Sequence, residues 1–130
     1  MHEKIKTFVK HTLGCACPEE VFKHIDCKQN IKLNDDISLN SKINIGNRLL
    51  IYVVEADNPN FITINLPLLV HAGKKERDSS GFNRLRLVIA TDKMDGIKEI
   101  TNSVFQAIGN RDEKIHLHII HKKDLSLLLA

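Results

Sequence analysis

Three short apolar runs constrain the fold of this 130-residue chain more than any other feature. Residues 49–54 are apolar on both alternating faces, which is typical of a strand buried in a sheet that is covered on both sides. Residues 85–90 and 115–120 form two more such runs, and the stretch between them has the periodicity of an amphipathic helix. That helix has a predicted buried stripe of Ile97, Ile100, Thr101, Val104, Phe105 and Ile108.

A further helix is predicted over residues 67–77, although Gly73 weakens it and residues 61–66 are compatible with an extended segment. The inferred order is βαβαβ, and such repeats nearly always have parallel strands joined by right-handed crossovers. With 42% hydrophobic and 27% charged residues, the composition is close to the globular average. The sequence therefore predicts one α/β domain over residues 1–130, a three-layer sandwich with a mostly parallel βαβαβ core.

Two helices are predicted ahead of this core. Apolar residues at helical spacing mark residues 3–13 as the first, and Gly14 follows where a left-handed cap is expected. Pro18 suits the first position of a second helix over residues 18–26. Residues 28–47 are rich in Asn, Asp, Ser and Lys, which indicates marginal strands or an extended connection.

The most chemically suggestive element is Cys15-Ala16-Cys17-Pro18, between these two helices. A thiol at a helix N-terminus is more readily a thiolate, the form that attacks disulfides and binds metals. Glu19 and Glu20 oppose this effect, because their charges favour the protonated thiol. Cys15 and Cys17 suit a shared zinc or iron–sulfur centre, with His11 as a third ligand, or a small strained disulfide.

Cys27 is a poor additional ligand. If residues 18–26 are helical, a rise of about 1.5 Å per residue places Cys27 about 15 Å from Cys17, whereas zinc–sulfur bonds are about 2.3 Å long. Three cysteines are also too few for a secreted disulfide framework. The cysteines have three alternative roles: ordinary packing, a metal or iron–sulfur site, and thiol redox chemistry.

Polar residues near the strand ends suggest two further sites. His116 and His118 share one face of the last predicted strand, as a metal-binding pair or simply as a polar face opposite a core face. The loops that follow the strands suit magnesium or phosphate if their side chains converge, and helix capping is the alternative explanation. These loop residues are Glu55, Asp57, Asn58, Thr91, Asp92, Asp95, His121, Lys122 and Lys123.

Residues 73–86 carry five positive and two negative charges. They predict an anion-binding segment, with a solvated helix end followed by a turn as the alternative. Residues 125–130 are apolar enough to dock on the chain's own core, a protein partner or a second copy. The candidate anion-binding residues are Lys74, Lys75, Arg77, Arg84 and Arg86.

Bulk properties exclude several classes of function. A formal net charge of +3 is too small to predict nucleic-acid binding. No apolar run approaches the roughly 20 residues of a membrane span, and the charged N-terminus predicts a cytoplasmic location. Two functions are therefore expected: a metal-binding or thiol-redox protein that uses Cys15 and Cys17, or a non-catalytic interaction or regulatory domain that uses residues 73–86 and the apolar tail.

Overall fold

The computed structural model describes residues 2–15, 18–33, 37–108 and 113–129, with side-chain positions for residues 3–15, 18–33, 37–108 and 113–125. These ranges contain five strands, four α-helices and two shorter helical segments. In chain order the elements are α1 (His2–Thr7), a π-helix (Phe8–Thr12), a 3₁₀-helix (Glu19–Lys23), β1 (Ile25–Lys32), β2 (Ser38–Ile45), β3 (Leu49–Glu55), α2 (Pro59–Ser80), β4 (Arg84–Thr91), α3 (Met94–Ala107), β5 (Ile115–His121) and α4 (Lys122–Leu129).

The strands form one mixed sheet in the order β1-β2-β3-β4-β5. β1, β2 and β3 form an antiparallel meander, whereas β3, β4 and β5 run parallel to one another. The helices α2 and α3 provide the crossovers that parallel neighbours require. The predicted mostly parallel core is wrong, because the pairings of β2 with β1 and with β3 are both antiparallel.

The predicted second N-terminal helix over residues 18–26 is also wrong. Only Glu19–Lys23 is helical, as a 3₁₀-helix, and β1 begins at Ile25. Val21 and Phe22 are buried in this 3₁₀-helix, so burial of these apolar residues does not require an α-helix. A short isolated helix is marginal in water, and pairing of the following residues with β2 outweighs the local helical preference.

Each face of the sheet carries its own apolar cluster. On the N-terminal face, α1, the π-helix, the 3₁₀-helix and α4 pack against strand residues such as Ile51 and Val88. On the crossover face, α2 and α3 pack against residues such as Tyr52 and Leu87. Every residue of 49–54 is buried, because successive side chains of β3 enter the two clusters alternately. This double burial explains why β3 is apolar at successive positions.

Helix α2 is longer than the predicted 67–77. The side chain of Asn58 caps its start by accepting a hydrogen bond from the Asn60 N–H at 2.9 Å, and Gly81, at a φ of 77°, ends it. Gly73 allows the helix to approach the sheet, since a Cβ there would lie 2.5 Å from a methyl carbon of Leu85. Neither α2 nor any other helix in the described part of the chain is long and apolar enough to cross a membrane.

Candidate functional site

The turn that carries Cys15 is fixed by backbone hydrogen bonds. The N–H of Leu13 donates to the Phe8 carbonyl oxygen at 3.1 Å, which closes the last turn of the π-helix. Gly14 then has a φ of 69°, so the predicted left-handed cap is confirmed. The N–H of Cys15 donates to the carbonyl oxygen of Val9 at 3.1 Å. This bond fixes the backbone at Cys15, and the Cys15 side chain is half-buried against the cluster of the N-terminal face.

Cys15 lines a cleft of about 310 Å³, called here the Cys15 cleft. Three arginines line the same cleft, and they come from the starts of two parallel strands: Arg48 directly precedes β3, and Arg84 and Arg86 lie at the start of β4. Parallel strands begin at the same edge of a sheet, so residues distant in sequence meet there. The other lining residues are Asn83 and the mainly apolar set Pro18, Val21, Ile45 and Leu49.

Two histidines of β5 accept hydrogen bonds from these arginines. Arg86 Nη1 lies 2.8 Å from His118 Nε2, and Arg84 Nη1 lies 3.2 Å from His116 Nε2. A guanidinium has no acceptor, so each Nε2 must be unprotonated and the rings are neutral. Burial and the arginine charges lower the pKa of both histidines, that of His118 to about 4. The polar face of β5 is therefore engaged with β4.

The Cys15 cleft has an excess of positive charge. In the described part of the chain, none of Arg48, Arg84 and Arg86 forms an ion pair with a carboxylate. The Nε atom of Arg86 is buried, and no described group accepts its hydrogen bond. Burial and the nearby Arg84 lower the pKa of Arg86, as expected for cations held close together. Such a cleft can hold an anionic group. Cys15 is disulfide-bonded in this structure, so the arginine charges affect the reactivity of its thiol only in the reduced protein.

Glu19, expected to oppose thiolate formation, is neutralised by two lysines. Hydrogen bonds from Lys10 and Lys6 lower the pKa of its carboxyl to about 2, and the Lys6 ion pair measures 2.5 Å. Both ammonium groups also lie over the ring of Phe22, at 5.4 and 5.9 Å from its centre. The lysines thus connect the N-terminal helices to the 3₁₀-helix across the Cys15 turn. They offset the charge of Glu19, one of the two glutamates next to the cysteines in the sequence.

The other predicted metal ligands are not brought together in the described residues. Cys17 lies outside them, and His11 is exposed on the π-helix. Cys27 is half-buried in β1, where burial raises the pKa of its thiol, as is typical of a packing cysteine. The helical spacing used to exclude it does not apply, because it lies on a strand. No group of three or more His, Cys, Asp and Glu in the described chain is arranged to hold a metal ion.

The predicted anion-binding residues occupy three separate places. Lys74 and Lys75 are exposed on α2. Arg77 is buried, and its Nη2 lies 2.9 Å from an oxygen of Asp78. Only Arg84 and Arg86 line a cleft. The prediction missed Arg48, although its position just before the first predicted strand was a usable signal, since parallel strand starts share one edge.

A second polar cluster lies at the carboxyl ends of the strands. Asp57 accepts hydrogen bonds from the Thr91 hydroxyl at 2.8 Å and the Asp92 N–H at 2.9 Å. Lys122 also bonds to Asp57 and lies 3.8 Å from Asp92. The Lys122 bond is the main reason why the pKa of Asp57 is lowered to about 2. Two of the predicted carboxylates therefore converge, but a lysine lies between them, whereas Glu55 is exposed.

The start of the apolar tail docks on the chain's own core. Leu125, in α4, is buried in the cluster of the N-terminal face, and residues 126–130 lie outside the described side chains. Together, fold and site define an α/β protein with a mixed five-stranded sheet and an arginine-lined cysteine cleft. No protein-family model, curated protein or solved structure matches the chain.

Proposed function

We propose that this protein carries out thiol–disulfide chemistry on small molecules, using Cys15 with Cys17 as its partner. One observation supports the proposal most: Cys15 lines a small cleft together with three arginines that have no carboxylate partner among the described residues. Nearby guanidinium groups stabilise a thiolate, and the thiolate is the form that attacks a disulfide. The neutralisation of Glu19 removes part of the opposing charge.

The reaction starts from the reduced protein. The Cys15 thiol gives its proton to solvent, and its thiolate attacks one sulfur of a small-molecule disulfide. The disulfide bond breaks, one half leaves as a thiolate, and the other half stays on Cys15 as a mixed disulfide. The Cys17 thiolate then attacks the Cys15 sulfur and releases the second half. The small molecule gains two electrons, and the protein becomes a Cys15–Cys17 disulfide.

The metal-binding alternative through Cys15, Cys17 and His11 has less support. His11 is exposed, and among the described residues no group of three or more His, Cys, Asp and Glu is arranged to hold a metal ion. Zinc or iron–sulfur binding therefore stays a prediction, which elemental analysis of anaerobically purified protein checks directly. A cytoplasmic location, where thiols are kept reduced, suits the proposed chemistry. A partner or second copy at the apolar tail is likewise a prediction.

The test uses dipyridyl disulfide, a neutral reagent whose released thione absorbs light. We expect the reduced wild-type protein to release both halves of the reagent, and Cys17→Ser to release only one, because its reaction stops at the mixed disulfide. Cys15→Ser should lose the fast reaction. Cys27→Ser is the matched control and should react like wild type, since its thiol is half-buried and has a raised pKa. A Cys15→Ser protein that reacts as fast as Cys27→Ser would refute the proposal.

A further inference from the structure

The Cys15 cleft also indicates which disulfides the protein prefers. We infer that its substrates are low-molecular-weight disulfides that carry a negative charge close to the sulfur, with Arg48 and Arg84 binding that charge. The inference rests on the proposed thiol–disulfide chemistry, and adds the class of substrate. What matters is which N–H donors of the three arginines already bind groups of the protein and which do not.

The side chain of Arg86 forms its hydrogen bonds within the protein. Its Nη1 donates to the Leu13 carbonyl oxygen at 2.9 Å and also contacts His118. The side chain is half-buried, so it forms part of the wall of the cleft and contributes a fixed positive charge. Its role is therefore to position the Cys15 turn and to raise the local potential. The other two arginines, Arg48 and Arg84, are therefore the ones expected to contact a ligand directly.

Arg48 and Arg84 keep most of their donors available. Both are exposed at the rim, and the side chain of Arg48 makes no hydrogen bond to any described residue. Arg84 has only two long contacts, with His116 at 3.2 Å and the Glu113 carbonyl oxygen at 3.5 Å. A guanidinium carries five N–H donors in a planar fork that matches a carboxylate. Together these two side chains can bind one anionic group.

The backbone holds the two arginines side by side. The carbonyl oxygen of Arg48 accepts hydrogen bonds from the N–H of Asn83 at 2.7 Å and the N–H of Arg84 at 3.2 Å. These two hydrogen bonds join the turn before β3 to the start of β4 directly at Arg48 and Arg84. On the other side, the Gly46 N–H donates to the His24 carbonyl oxygen at 2.7 Å. The rim is therefore preorganised, which lowers the entropic cost of binding.

Size and polarity restrict the ligand further. A volume of about 310 Å³ lies at the lower end of the range of about 300–1,000 Å³ for small-molecule sites. The apolar wall formed by Val21, Ile45 and Leu49 suits a short hydrocarbon or aromatic group between the sulfur and the charge. A small anionic disulfide satisfies the charge, the volume and the apolar wall together.

Two reagents that differ in charge test the inference. Dithiobis(nitrobenzoate) carries a carboxylate on each half, whereas dipyridyl disulfide is neutral. We expect Arg48→Gln and Arg84→Gln to slow reduction of the anionic reagent about tenfold, the loss expected when one charge-assisted contact of about 1.4 kcal/mol disappears. Because these arginines also stabilise the Cys15 thiolate, the rate with the neutral reagent should fall as well, but by a clearly smaller factor than the rate with the anionic reagent. A change in the reactivity of Cys15 itself affects both reagents, so the ratio of the two rates isolates recognition of the charge.

Lys74→Gln is the matched control, because it removes an exposed positive charge from α2, outside the cleft. Ionic strength gives a second readout on the unaltered protein: added salt should slow the anionic reagent more than the neutral one, since salt screens exposed charges. Equal rates for the two reagents at every salt concentration, or variants that slow both equally, overturn the inference and leave the proposed function intact. If Cys15 reduces neither reagent, the proposed function fails, and the inference fails with it.

Discussion

Arg86 donates a hydrogen bond from its Nη1 to the carbonyl oxygen of Leu13 at 2.9 Å, and so joins β4 to the turn that carries Cys15. Leu13 is buried, and an unsatisfied buried acceptor costs about 1–3 kcal/mol. We therefore expect Arg86→Met, which keeps the length of the side chain but removes its donors, to lower the free energy of unfolding by about that amount. Urea denaturation followed by circular dichroism measures the change.

Arg48→Met is the control for this experiment. Arg48 lines the same cleft but makes no side-chain hydrogen bond to a described residue, so its replacement should change the free energy of unfolding by less than about 0.5 kcal/mol. Equal losses in the two variants would show that the Leu13 bond does not stabilise the turn.

The contact between Arg86 and His118 predicts a loss of stability in acid. The pKa of His118 is about 4 in the folded protein, against a usual value of 6.5. Because the unfolded chain binds the proton more tightly, the contribution of His118 is complete above pH of about 6.5 and is lost as the pH falls towards about 4. After a discount for partial solvent screening, we expect a loss on the order of 1–2 kcal/mol over this window.

His118→Gln should remove this pH dependence, since its amide oxygen still accepts from Arg86 but does not titrate in this range. Unfolding midpoints in urea at several pH values between about 4 and 7 provide the measurement. The control is His121→Gln, which changes an exposed histidine at the end of the same strand. The explanation fails if His118→Gln and His121→Gln lose stability in parallel with wild type.

The sequence predicts the strands buried on both faces directly, but for residues 28–47, which contain most of β1 and all of β2, it leaves marginal strands and an extended connection as alternatives. β3 and β4 are long apolar runs, so local composition identifies them. β1 is an edge strand in which only Ile25 is buried, and its largely exposed residues look like a polar connection. The place of β2 between β1 and β3 depends on pairing between segments, which no local pattern encodes.

The same difference between local patterns and contacts of distant segments explains which residues of the candidate site the sequence predicts. The sequence points to Cys15, Arg84 and Arg86, but as members of two separate hypotheses, since about seventy positions separate Cys15 from Arg86 along the chain. The prediction misses Arg48 because this residue lies neither in the basic segment 73–86 nor in the loops at the carboxyl ends of the strands. The Cys15 cleft lies at the opposite edge, where the parallel strands begin.

A partly buried network around Glu76 predicts the effect of removing one carboxylate. The Tyr52 hydroxyl donates to Glu76, and Lys42 Nζ lies 2.9 Å from the other oxygen of the carboxylate. Because Tyr52 is only 1% exposed, Glu76→Ala leaves a buried hydroxyl without this acceptor. We expect the free energy of unfolding to fall by about 1–3 kcal/mol. Chemical denaturation measures it.

Two comparisons make the Glu76 prediction specific. Glu76→Gln should recover part of the loss, because its amide oxygen still accepts from Tyr52. Glu99→Ala removes an exposed carboxylate on α3 and should change stability by less than about 0.5 kcal/mol. Glu76→Ala and Glu99→Ala with the same unfolding midpoint would contradict a stabilising role for the network.

Gly46 connects the stability of the fold to the shape of the Cys15 cleft. It has a φ of 60°, and an added Cβ would lie 2.7 Å from the carbonyl oxygen of Val21 and 2.9 Å from the Val21 Cβ. Since Val21 and Ile45 both line the cleft, the backbone shift that relieves this clash must also change the cleft. We expect Gly46→Ala to destabilise the protein by about 2–3 kcal/mol, from the left-handed backbone and the overpacking together. It should also slow the reaction of Cys15 with dipyridyl disulfide.

Gly96→Ala should have the opposite effect on stability from Gly46→Ala. Gly96 lies in α3 with no atom within 4 Å of an added Cβ, so alanine should raise stability by about 0.5–1 kcal/mol through its better helix propensity. We expect the thermal unfolding midpoint to fall in Gly46→Ala and to rise in Gly96→Ala, because only the turn at Gly46 packs closely against Val21. A Gly46→Ala protein that is as stable as wild type, with unchanged Cys15 reactivity, would show that the turn does not support the cleft.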